Sequence, residues 1–156
     1  MNLGRIGFML IPTMVAVGCA AHPFVRADLP VESGGVRVGL VDQKCDREID
    51  PNWSYADILD LDLRVEVSNS AEGAISFDPA KVRLLADGEA RKPHRSDRSG
   101  PVLAGGSKIF EIRFLERDDN LARNVPMALA VAGAAMAGSS PLPLRPIEFL
   151  VSHDDI

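Results

Sequence analysis

Leu59-Asp60-Leu61-Asp62-Leu63-Arg64-Val65-Glu66-Val67 alternates apolar and charged side chains without an error. A period of two places every apolar side chain on one face and every charge on the other, the pattern of a half-buried antiparallel strand. A helix over the same residues would scatter the leucines round its circumference. Asn69-Ser70 then predicts a turn.

Working outward, shorter versions of the pattern occupy Val36 to Val41, Lys81 to Ala86, Lys108 to Leu115 and Ile147 to Ser152, with further strands predicted at Ile75 to Phe77 and Met127 to Ala132. Turn signals separate them: Asp78-Pro79, Asp87-Gly88, Ser99-Gly100-Pro101 and Gly105-Gly106. Strands of this length without an amphipathic helical stretch predict an all-β protein, an antiparallel β-sandwich of about seven strands. In Met127 to Gly138, alanine suits a helix by propensity while Met127, Leu129 and Val131 alternate like a strand. The segment is read as a strand that is central or covered on its second face; the rival reading is an apolar edge or face for another protein.

At the other end of the chain, Arg5 precedes an apolar stretch from Ile6 to Val17 that closes on Ala16, Gly18 and Cys19. Positive start, apolar middle and small residues are the parts of a secretory signal. The stretch is short for a transmembrane span, which needs about 20 apolar residues, and Pro12 interrupts it. The run Val15 to Cys19 resembles a bacterial lipoprotein signal, although Ala16 stands where leucine is commonest. That resemblance implies that Cys19 is the first mature residue and carries lipid, and that Ala20 after it directs the protein to the outer membrane, facing the periplasm. The rival reading is ordinary cleavage after Ala20 or Ala21. The expected organisation is a signal peptide over 1–18, the lipidated cysteine and a flexible tether over 19–35, a β-sandwich domain over 36–152 and a polar tail over 153–156.

The domain also resembles small immunoglobulin-like lipoproteins of bacteria. The resemblance rests on the long alternating strand ending in Asn-Ser (Leu59 to Ser70), the short strand and Phe-Asp-Pro turn (Ile75 to Pro79), the strand Val82 to Gly88, and the Gly-Gly-Ser that opens Gly105 to Phe114. It covers about half of the mature chain. It implies an immunoglobulin-like sandwich and supplies no activity and no catalytic residues.

The chain carries a net charge of −5, and loss of residues 1–18 with Arg5 leaves −6. An acidic domain is a poor candidate for nucleic acid. Cys45 is the other cysteine, and a lipidated Cys19 cannot pair with it. It is read as a small buried hydrophobe in preference to a reactive thiol.

No catalytic arrangement has the required spacing. His22, His94 and His153 make no metal pair, and Cys-x-x-Cys is absent from the sequence, so neither metal nor cofactor is expected. His94, Ser96 and Asp97 lie close together but without a Gly-x-Ser-x-Gly elbow. Asp60, Asp62 and Glu66 share one strand face, which solvation explains without glycosidase chemistry. Two segments stand out as candidate binding sites. One is the basic loop with Arg91, Lys92, Arg95 and Arg98, suited to phosphate groups or an acidic partner. The other holds Trp53 and Tyr55, the single Trp and single Tyr of the chain, which anchor a ligand or plug the end of the sandwich. The function expected is non-enzymatic: a domain held to the membrane through lipid on Cys19, binding an envelope protein as an accessory or assembly subunit. The alternatives are a glycan or small-molecule binder and, further off, an envelope hydrolase.

Overall fold

The computed structural model describes residues 26–27, 29–49, 57–86, 88–117 and 126–150. Fourteen antiparallel strands and one 3₁₀ turn are seen among them. The first sheet has the order β1-β14-β11-β6-β7, built from β1 (Arg26–Ala27), β14 (Ile147–Leu150), β11 (Pro126–Ala130), β6 (Arg83–Ala86) and β7 (Glu89–Arg91). The second has the order β2-β3-β4-β10-β8, from β2 (Val31–Ser33), β3 (Val36–Ile49), β4 (Asp57–Asn69), β10 (Ser107–Arg117) and β8 (Arg95–Ser96). A third, smaller sheet runs β13-β12-β5-β9, from β13 (Ser140–Pro141), β12 (Ala135–Ala137), β5 (Ile75–Phe77) and β9 (Gly100–Val102).

The expected antiparallel sandwich is what forms, and its core follows the period-two reading. Leu61, Leu63, Val65 and Val67 of β4 are buried, as are Phe110, Ile112 and Phe114 of β10, and they share one apolar cluster with Leu84, Leu129 and Ile147 of the first sheet. The third sheet adds Ile75, Phe77, Val102 and Ala135 to the same cluster, with the Phe77 and Phe110 ring centroids 4.9 Å apart. Met127, Leu129 and Val131 are buried, and β11 lies between β14 and β6, so the alanine-rich segment begins as a central strand. It then turns and forms β12.

All seven expected strands are present. The additional seven, β1, β2, β7, β8, β9, β12 and β13, have two or three residues each, too few for a period to show in sequence. Pairing also begins before residue 36: β1 pairs with β14, and β2 pairs with β3 and buries Val31. The β2–β3 hairpin turns on Gly34 and Gly35, both at positive φ (58° and 79°), which a two-residue turn of this hand requires.

Strand β3 runs past the expected end at Val41 because its ladder with β4 shifts register between Leu40 and Asp42. Val36, Val38 and Leu40 pair with Asn69, Val67 and Val65; after the bulge Asp42 and Lys44 pair with Arg64 and Asp62. The extra residue, Val41, is half exposed. If Val41 were instead paired in a regular, unbulged ladder, Asp42 and Lys44 would follow Leu40 into the core.

Candidate functional site

The register of the second sheet lines charges up on its outer face. Asp42, Arg64 and Glu111 form one cross-strand row, and Lys44, Asp62 and Arg113 the next. Signs alternate both along and across the strands. Arg64 donates through Nε and Nη2 to Glu111 Oε1 at 3.1 and 2.9 Å, and Asp42 lies 3.7 Å away on its other side. The hydrogen bond to Glu111, then the charges of Glu111 and Asp42, hold the Arg64 guanidinium above its ordinary pKa. Arg113 donates through Nε to Asp60 at 2.7 Å and pairs with it again through Nη2, and Asp62 lies 3.9 Å off. Asp60 is therefore buried, where alternation alone predicts a solvated charge. Glu66 accepts from the Ser107 hydroxyl at 3.0 Å. These carboxylates are occupied in holding strands together.

Beyond β10 lies the segment read as a basic loop, and it is more ordered than a loop. The His94 N–H donates to the Arg113 carbonyl at 2.8 Å, and the Asp97 N–H to that of Glu111 at 2.9 Å. Asp97 Oδ2 accepts from the Glu111 N–H at 2.8 Å. The edge strand β8 between them is thus pinned at both ends. Asp97 is committed to the backbone of β10, so it does not orient His94 toward Ser96.

The four basic residues divide. Arg91, on β7 at the edge of the first sheet, is mostly buried and pairs with Glu116 of β10, itself only 7% exposed, with Glu89 3.6 Å away. Its Nε is buried without an acceptor. Arg91, expected among the exposed binding cations, is therefore engaged as a clasp between the two sheets. Lys92, Arg95 and Arg98 are exposed and make no ion pair among the described residues. Arg95 stands directly opposite Arg113, so it extends the second row with a like charge. A shallow depression lies there, lined by Asp62, Arg95, Ser96, Asp97, Glu111 and Arg113. Every carboxylate around it is already engaged, and Arg95 is the cation left over.

The clasp was hidden in the sequence, yet it left a signal. Phe110, Ile112 and Phe114 point inward, and Glu116 continues that series; an acid in an inward series demands a buried partner.

Cys19, Trp53 and Tyr55 lie outside the described residues, as do His22 and His153. The backbone of Cys45 pairs with Leu61. Among the described residues, no group of three His, Cys, Asp or Glu side chains is placed to hold a metal, and no helix is long and apolar enough to cross a membrane.

No family model matches the chain, and no curated protein matches it in sequence. Solved structures do. The ycdA protein of Bacillus subtilis, whose description assigns it provisionally to the lipoproteins, superposes with a TM-score of 0.54 at 14% identity. The match covers 76% of this chain and 37% of that one, so the chain spans little more than a third of that protein. The yjhA protein of Bacillus subtilis is similar with a TM-score of 0.48 at 13% identity, over 71% of this chain and 84% of that one. At such identities the likeness to ycdA is one of fold.

Proposed function

We propose that the chain is a lipid-anchored, non-enzymatic, immunoglobulin-like domain facing the periplasm from the bacterial outer membrane. Its work is to bind an acidic protein partner of the envelope through Lys92, Arg95 and Arg98. The observation that carries the partner site is three cations, without an ion pair among the described residues, on and beside a strand whose backbone is pinned to β10 at His94 and Asp97. A held backbone lowers the ordering cost of binding, and arginine meets carboxylates through forked donors.

Topology favours a partner over the anchoring bilayer. β1 and β2 are edge strands, and β7 and β8 are the edges opposite them in the same two sheets. The chain enters on one side of the sandwich and presents its free cations on the other. The anchor reading draws on the Cys19 signal and on the lipoprotein description of the ycdA protein. Residues 19–25 span at most about 25 Å when extended, which keeps the domain beside the membrane.

The test is the intact mass of protein purified from membranes, compared with Cys19→Ser. The expected result is a lipid-sized increment on a chain beginning at Cys19; a soluble chain beginning after Ala20 or Ala21 overturns the anchor. In-cell photocross-linking from position 98 is expected to give a discrete adduct that disappears when Lys92 and Arg95 are changed to Ala.

A further inference from the structure

We infer that the edge of β8 receives an extended acidic segment of the partner by strand addition, with carboxylates spaced to meet Arg98, Arg95 and Lys92 in turn. This rests on the partner-binding reading above and not on the lipid anchor. Among the described residues β8 pairs with β10 alone, which makes it the outer strand of a five-stranded sheet. The 3₁₀ turn Pro79–Lys81 lies near β8 without pairing to it, so the edge keeps backbone groups for a further strand, and side chains at the register positions then select which strand.

The charge pattern supplies the selection. The outer-face row reads Lys44, Asp62, Arg113, Arg95, so alternation holds across three strands and fails at the fourth. A carboxylate on an added strand opposite Arg95 restores it. Arg113 is satisfied by Asp60, so the Arg95 guanidinium has no competitor for that carboxylate. Two residues along, Asp97 sits on the same segment, and an acid opposite it would be repelled. Lys92 and Arg98 flank Arg95 at three residues on either side, and both are exposed. The fitting segment therefore carries acids three apart, with uncharged residues of high β-propensity between them. A bilayer headgroup layer has the charge but neither the spacing nor a backbone to pair.

The probe is a labelled heptapeptide, Glu-Thr-Val-Glu-Val-Thr-Glu, titrated against the mature chain purified from whichever fraction holds it, soluble or membrane. Expected is saturable binding that weakens at least tenfold in K92A/R95A/R98A and is unchanged in Arg145→Ala, a cation that lines a depression with Val31 of β2, the edge opposite β8. N-methylation of alternate peptide amides is expected to abolish binding. A K92E/R95E/R98E protein is expected to lose the acidic peptide and gain its lysine counterpart, which shows that the variant is folded. Equal binding of the N-methylated peptide overturns strand addition. Failure of the peptide to bind, with the three cations instead required for binding vesicles containing 30% phosphatidylglycerol, overturns the proposal in favour of the membrane. Neither result depends on the mass of the chain from membranes, so the anchor and the edge stand or fall separately.

Discussion

Two buried polar residues do more for this fold than their number suggests. Asn69 ends β4 with every group satisfied: its Nδ2 donates to the carbonyls of Gly73 at 2.8 Å and Val102 at 3.0 Å, and its Oδ1 accepts from the Ala71 N–H at 3.0 Å. Its backbone bonds the Gly105-Gly106 turn in both directions. Asn69→Ala is expected to destabilise the domain by about 1–3 kcal/mol in urea unfolding, since the buried Val102 carbonyl and two part-buried partners lose their mate. Asn69→Asp keeps the acceptor and loses both donors, and is expected to be no better. Arg91 is the second case. Arg91→Ala leaves Glu116 charged, buried and alone, at a cost of about 3–5 kcal/mol, whereas replacing Arg91 and Glu116 together by Leu is expected to recover most of that loss. Thermal unfolding of the three proteins checks both statements. The exposed Arg64 network behaves differently with pH. Its guanidinium is held above the ordinary arginine value, so its contribution is complete below that range and is lost only as pH rises through it. No change in the arginine's own charge is expected between pH 5 and 9.

The elements show why some of the fold was legible and some was not. Strand β4 could be read because its outer face is charged at each position from Asp60 to Glu66 while its inner face is all Leu and Val. Strand β3 is legible only as far as Val41, since one extra residue inverts the alternation there and the continuation looks like the wrong phase. Deleting Val41 is therefore expected to restore a regular ladder and cost less than about 1 kcal/mol, while deleting Val65 from unbulged β4 turns half a strand inside out and should prevent folding. Soluble yield and circular dichroism of the two deletions decide the matter. The β2–β3 hairpin is legible in principle: Val31-Glu32-Ser33, two glycines, then Val36-Arg37-Val38 is a two-residue hairpin signature, but its first arm is three residues long, and with Pro23 and Pro30 before it and Ser33 and the glycines in it the stretch reads equally as a tether. The basic residues could be found by charge. Their separation into one clasp and three free cations depends on Glu116, twenty-five residues further along β10, and on which sheet each strand joins. Local pattern carries no such information.

For the molecule as a whole, the two ends of the described chain meet in the first sheet, yet they matter unequally. β1 adds only two paired positions at an edge, whereas β14 lies inside the sheet and buries Ile147 and Phe149. A chain starting at Leu29 is expected to melt within a few degrees of the longer one, and a chain ending before Ile147 is expected not to fold; differential scanning calorimetry tests both. The opposed edges also set how the domain meets a mechanical pull. A force between an anchor on the β2 side and a partner on the β8 side runs across the second sheet, so its hydrogen-bonded ladders carry the tension in series. Ladders in series bear equal force and yield in order of strength. The long β3–β4 and β4–β10 ladders are flanked by β2–β3 with three paired positions and β10–β8 with two. Under traction applied across these two edges, the short peripheral ladders are expected to part first while the central three strands keep their shape.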